Sequence, residues 1–271
     1  MPLRTGLRAT VLAAIGVMLA LSPAWGETLR IGGTGAVTEL LRRMGPALTA
    51  DTGIALEVVP GLGTTGANSA VADGKLGLAF SGRELRDREM ARGLRVAAVL
   101  RTPFGFVTSR QGPDNLKKSG IVALFRADRP MWPDGTPILI HLRPADESDY
   151  IVLGELFPGM TEVIQQLRKR RDLSVVATDQ DNADMAEKVK GSLAAATFTQ
   201  IVTEKRDLRF VSIDGVAPSL ENYLDGSYPY GKSLYVIVPS AISPDAQAFL
   251  AFLAGPAGVA LLRQAALIAG K

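Results

Sequence analysis

The sequence has 271 residues, of which 47% are hydrophobic and 21% charged, enough apolar content for the core of one or two domains and too much for a disordered chain. Thirty basic and 27 acidic residues give a formal net charge of +3, and the lack of any cysteine excludes a disulfide framework and a thiol nucleophile. Glycine (28) and proline (16) supply turns for many short elements.

The first 26 residues differ from the rest. Arg4 and Arg8 precede an unbroken apolar or small run from Val11 to Leu21, and Pro23-Ala24-Trp25-Gly26 ends it before Glu27. Small residues stand at the −3 and −1 positions before Glu27, so the pattern predicts a cleavable secretory signal peptide and a periplasmic mature chain. The run is shorter than a membrane span needs, and an uncleaved N-terminal anchor is the alternative. No cysteine follows it, so there is no lipid attachment point of the bacterial lipoprotein kind. Taking away two arginines and no acids leaves 28 basic and 27 acidic residues, a net of +1, which is no footprint for nucleic acid. The one basic cluster, Arg168-Lys169-Arg170-Arg171, stands where a helix ends and suits the negative end of its dipole.

Strand-like and helical runs then alternate. Thr28 to Gly32 reads as a strand, and Val37, Leu40, Leu41, Met44 and Leu48 share one helical face that stops at Gly53. Ile54 to Val59 is the next strand, Thr65 to Asp73 a helix ending at Gly74, Leu76 to Phe80 a third strand and Arg95 to Leu100 a fourth. This β-α-β-α-β order predicts a parallel sheet with helices on its faces. The middle of the chain predicts a strand at Ile138 to Leu142 and helices at Ser148 to Leu156 and Thr161 to Arg170. Ser174 to Ala177 reads as a strand, Asp181 to Gly191 as a helix, and Leu193 to Thr203 and Leu208 to Ile213 as strands. Pro218 to Leu224 is a helical turn, Leu234 to Val238 a last strand, and Ser243 starts closing helices broken at Gly255-Pro256. Two crossings between lobes are expected, near Thr102 to Phe106 and near Tyr228 to Ser233.

Three Gly/Thr/Ser-rich loops each follow a strand and precede a helix: Gly32-Gly33-Thr34-Gly35, Gly61-Leu62-Gly63-Thr64-Thr65-Gly66 and Ser81-Gly82-Arg83. In a parallel α/β sheet such loops gather at the carboxyl ends of the strands, where helix N-termini offer free N–H groups to an anion. Each loop alone is an ordinary turn with a helix cap; three in register point to a ligand. None matches a nucleotide fingerprint.

The stretch from Gly61 to Leu85, with Gly-Leu-Gly-Thr-Thr-Gly and Phe-Ser-Gly-Arg-Glu-Leu, resembles two ligand loops of the phosphate-binding proteins of ABC transporters. Ile213-Asp214-Gly215-Val216-Ala217-Pro218-Ser219 with Asn222, and Tyr228-Pro229, resemble that family's later signature, so the likeness spans about residues 28–265. The resemblance implies an α/β, two-lobed periplasmic-binding-protein (Venus flytrap) fold. Residues 27–104 and 232–271 would form the first lobe and 105–231 the second. It also implies a tetrahedral oxyanion held between the lobes by backbone amides and hydroxyls, with no cofactor and no metal. Carried over by position, Thr34, Gly35 and Ala36 form the first ligand loop, Gly63, Thr64 and Thr65 the second, and Ser81, Gly82 and Arg83 the third, Arg83 lying either inward or on the surface. Arg143, Ser148 and Asp149 fall in the anion loop of the opposite lobe.

The departures lie in that last loop. Ser148-Asp149-Tyr150 stands where the family has Ser-Gly-Thr, so a carboxylate replaces the glycine that lets backbone approach the anion. A carboxylate about 4 Å from a divalent anion opposes binding by a few kcal/mol at an effective dielectric near 20. The aspartate that many relatives carry near Gly82 is missing.

Nothing in the sequence calls for an enzyme. His141 is the only histidine and falls within an expected strand; HExxH and GxSxG are absent. Asp179, Asp181 and Asp184 read as helix capping and first-turn charge rather than as cation ligands, and Trp132 as a packing residue. Two classes therefore stand. The chain is either a monomeric receptor delivering a small anion to an inner-membrane ABC permease, or a ligand-altered sensor or interaction protein with a periplasmic or membrane partner. Gene neighbours would separate the two.

Overall fold

The computed structural model describes residues 28–112 and 114–270, so the signal peptide expected over residues 1–26 lies outside the described residues. The chain runs β1 (Leu29–Gly33), a single 3-10 turn (Gly35–Val37), α1 (Thr38–Thr52), β2 (Leu56–Val59), α2 (Gly63–Ala72), β3 (Leu78–Ser81), α3 (Asp87–Met90) and β4 (Leu94–Thr108). Next come β5 (Asn115–Leu116), α4 (Lys118–Arg126), β6 (Leu139–Ile140), α5 (Ser148–Leu156), α6 (Met160–Leu167) and α7 (Asp179–Lys188). They are followed by β7 (Ser192–Thr197), α8 (Phe198–Glu204), β8 (Arg209–Phe210), β9 (Ser212–Ile213) and α9 (Leu220–Leu224). The last elements are β10 (Gly231–Pro239), α10 (Pro244–Ala254), α11 (Pro256–Gln264) and β11 (Ile268–Ala269).

The local logic is that of the sequence. In α1 the residues Leu40, Leu41, Met44 and Leu48 are buried, and Gly53 takes the left-handed conformation that ends the helix. Ser243 caps α10 from its hydroxyl, and proline opens both α10 and α11.

The main sheet is ordered β2-β1-β3-β10-β4-β7-β6. The β2-β1-β3 run and the β6-β7 pair are parallel, whereas β4 and β10 join them through antiparallel ladders. Each half has its own core. One packs Ile31, Leu41, Phe80, Leu100, Val236 and Phe249; the other packs Phe104, Phe106, Ile140, Phe157, Ile164 and Tyr228. The cores change over within β4, between Leu100 and Phe104, and at Tyr230 ahead of β10. The two halves are thus joined by continuous hydrogen-bonded strands.

Four expected elements differ, the first being Leu208 to Ile213, which splits into β8 against β4 and β9 against β5. The strand expected at Arg95 to Leu100 continues to Thr108, because Phe104, Phe106 and Val107 are buried again beyond Pro103. The strand expected over Leu193 to Thr203 stops at Thr197, whose hydroxyl accepts from the Gln200 amide and starts α8. Ser174 to Ala177 makes only an isolated bridge, Val175 to Leu142. Among the described residues no single helix is long and apolar enough to cross a membrane.

Candidate functional site

The loops after β1, β2 and β3 face, across the junction of the two cores, the segments that open α5 and α7. The loops after β1 and β2 and the opposite segments line a cavity of about 170 Å³, with Thr34, Gly35, Gly63, Thr64 and Thr65 on one side and Arg143, Glu147, Ser148, Asp179 and Gln180 on the other. Helices α2, α5 and α7 all begin at its wall, and their N-termini make it favourable to negative charge. The approach across the cleft is close enough to require glycine at two positions. A Cβ on Gly82 would fall 2.3 Å from Ser148 Oγ, and one on Gly35 2.7 Å from Asp179 Oδ2.

The first-side residues bond both within their loops and between the second and third. Thr64 Oγ1 accepts from the Gly82 amide at 2.9 Å. The Ser81 hydroxyl donates to Arg83 O at 2.5 Å, and the Ala36 amide donates to Thr34 Oγ1 at 3.5 Å. Arg83 is buried and forks onto Glu89 with bonds of 2.8 and 2.9 Å, while touching Thr65 Oγ1 at 3.3 Å. It lies neither on the surface nor among the residues lining the cavity. Burial works to raise the Glu89 carboxyl, and the Arg83 bonds with the Arg86 amide and Asn68 override it, leaving a pKa of about 2.

The opposite side carries the charge. Arg143 Nη2 meets Asp179 Oδ1 at 2.9 Å and Glu147 Oε2 at 2.8 Å. Lys232, fully buried at the start of β10, donates to Asp149 Oδ1 at 2.5 Å and to Ser148 Oγ at 2.9 Å. Asp149 therefore does not stand as a bare charge against the cleft: a lysine neutralises it. Glu147, Asp149 and Asp179 bring carboxylate oxygens within 4.8 Å of one another. Three carboxylates thus share two cations. Burial first, then the charges of Asp179 and Asp149, push the Glu147 carboxyl above the usual range. Burial works to raise Asp179 too, but the Arg143 and Lys232 charges and the Thr34 hydroxyl hold it below that range.

Arg143 is also held from behind. Its amide donates to the Tyr150 hydroxyl at 2.6 Å, and Arg168 Nη2 donates to its carbonyl at 2.6 Å. Arg168 lies over the Tyr150 ring at 5.1 Å. The basic cluster after α6 thus has one member that positions the site, beyond the dipole role expected of it. The Arg143 Nε and Nη1 atoms are buried without a hydrogen-bond partner among the described residues.

Of the residues singled out from sequence, Thr34, Gly35, Gly63, Thr64, Thr65, Arg143 and Ser148 line the cavity. Ala36, Ser81, Gly82, Arg83 and Asp149 stand behind it. Glu147, Asp179 and Lys232 were missed. Asp181 forms a capping box with Thr178 and Asp184 pairs with Arg206; Asp179 supplies first-turn charge to α7 as expected, and its carboxylate also turns into the cleft. A signal for Asp179 was present, since Val175 to Asp179 repeats the strand, loop and helix order of the three loops. His141 sits 3.1 Å from Ser192 Oγ, away from the cavity, and Trp132 is buried with its indole N–H on Gly191 O, as a packing residue.

A family model described as the PBP superfamily domain matches residues 20–257. No curated protein sequence matches the chain. Among solved structures, a putative phosphate ABC transporter substrate-binding protein from Clostridium perfringens, with bound phosphate, superposes with a TM-score of 0.77 at 15% identity, over 90% of this chain and 100% of that one. An ABC-type phosphate transport receptor from Vibrio cholerae gives 0.61 at 14% identity, over 89% and 99%. The periplasmic molybdate-binding protein of Azotobacter vinelandii gives 0.59 at 13%, over 90% and 100%. The chain therefore belongs to the PBP superfamily and has the α/β fold of its two-lobed periplasmic binding proteins.

Proposed function

We propose that the protein is an extracytoplasmic solute-binding protein that holds a small oxyanion, phosphate or a phosphate-like ion, in the interlobe cleft and presents it to an inner-membrane ABC permease. One observation carries this reading. Thr34, the Gly63-Thr64-Thr65 loop, Arg143 and Ser148 converge on one cavity at the N-termini of α2, α5 and α7, where free backbone N–H groups suit an anion. At about 170 Å³ the cavity is small for a ligand pocket, which suits a small ion rather than a larger solute. Donors of this kind recognise charge and shape without chemistry, which favours a binder over a hydrolase. The lobes would be residues 27–104 with 232–271, and 105–231, hinged within β4 and ahead of β10. A cleavable signal peptide over residues 1–26 would deliver the chain to the periplasm.

A second reading has its own support. The carboxylates of Glu147 and Asp179 already take donors an oxyanion would use, which favours a ligand-altered sensor or interaction protein on the same scaffold. Isothermal titration calorimetry on the mature chain, stripped of co-purifying ions by unfolding and refolding, separates the two. One-to-one binding of phosphate, sulfate or molybdate is the expected result. A folded protein silent toward all three would leave the sensor reading.

A further inference from the structure

We propose that Asp179 is a built-in competitor for the donors of the cleft, its carboxylate standing in for the anionic oxygens of the solute; this rests on the oxyanion reading of the same cavity. Asp179 bridges the lobes. One oxygen accepts from Thr34 Oγ1 at 3.1 Å on the first lobe, and the other meets Arg143 Nη2 at 2.9 Å on the second. A hydroxyl from one side and a guanidinium from the other are the donors that a tetrahedral oxyanion between the lobes would engage.

The local structure releases Asp179 for this task. Thr178 and Asp181 cap α7 between them, with bonds of 2.8 to 3.0 Å, so the helix does not need the Asp179 side chain. The first lobe is shaped to receive it. Gly35 leaves room where any Cβ would strike Asp179, and the neighbouring Gln180 Nε2 donates to Gly35 O at 3.0 Å. The rest of the donor set is treated in the same way. Glu147 Oε1 accepts from both the amide and the hydroxyl of Ser148, the first residue of α5, at 2.9 and 3.0 Å.

Charge makes Asp179 a competitor rather than a bystander. With Glu147, Asp149 and Asp179 already sharing Arg143 and Lys232, a further anion competes for the same two cations. A fully ionised oxyanion enters by displacing the Asp179 carboxylate from Thr34 and Arg143. Asp179 thus sets the affinity threshold, and it draws the lobes together by the bonds that the solute would otherwise make.

The test compares the wild-type chain with Asp179→Asn and Asp179→Ala, each refolded free of phosphate and checked by circular dichroism. Phosphate affinity is read by calorimetry and the spread of the lobes by small-angle scattering before phosphate is added. Both variants are expected to bind phosphate at least about tenfold more tightly than wild type and to be more open beforehand. Wild-type binding with equal or weaker binding by both variants would overturn the role of Asp179 and leave the oxyanion reading standing. Silence from all three folded proteins would overturn the oxyanion reading itself.

Discussion

Arg143 shows how much of the site one side chain organises. Its backbone is clamped by Tyr150 and Arg168, which aims the guanidinium, and its Nε and Nη1 are buried without a partner among the described residues. Arg143→Gln is expected to weaken oxyanion binding by about 10- to 100-fold, the range of a hydrogen bond to a charged group, as read by calorimetry. Tyr150, which replaces the threonine of the resembled loop, explains itself here as the residue that holds the Arg143 amide. Asp149 likewise finds its reason in Lys232. Removing one partner of a buried pair strands the other charge, so Lys232→Met is expected to cost about 3–5 kcal/mol in chemical denaturation. The Lys232→Met, Asp149→Leu double variant is expected to regain most of that loss. Neither Asp149 nor Asp179 could be given its partner from sequence alone. The Thr34 to Asp179 bond spans 145 residues and the Lys232 to Asp149 bond 83. Local pattern carries helix caps, not such pairings.

At the scale of elements, the strand–loop–helix units of the first lobe were legible because their signals are local. Apolar periodicity, Gly53 at the end of α1 and the glycine–threonine loops ahead of helices all act within a few residues. The strand β4 was half legible. Pro103 and Gly105 look like an end, but burial of Phe104 and Phe106 in the second core carries the strand onward. The third loop is fixed to α3 by the buried Arg83–Glu89 pair. Because the Glu89 carboxyl falls to about 2 in the folded chain, its stabilisation is present above the ordinary carboxylate range and is lost as pH falls toward 2. Thermal melts are expected to show wild type losing about 2–3 kcal/mol more than Glu89→Gln across that interval. Gly82 sets the distance between the third loop and α5. Gly82→Ala is expected to force Ser148 away and to weaken oxyanion binding without loss of the fold, seen as weaker calorimetric binding with an unchanged far-ultraviolet spectrum.

For the molecule as a whole, the contacts across the cleft are polar while each lobe keeps its apolar core to itself. Thr65 donates to Asp146, Gln180 to Gly35, and Arg43 to the carbonyl of Thr203, in addition to the Thr34–Asp179 and Lys232–Asp149 pairs. Such an interface would open and close at modest cost, and with the lobes proposed above the continuous strands β4 and β10 would be the hinge. The central claim is that this cleft is an oxyanion site. Co-crystallisation of the wild-type mature chain with arsenate, located by its anomalous scattering, tests it most directly. The account predicts one peak within hydrogen-bonding reach of Thr34 and Arg143, with the Asp179 carboxylate moved aside. A cleft that keeps Asp179 on Thr34 and Arg143 at saturating arsenate, with no peak between the lobes, would contradict it.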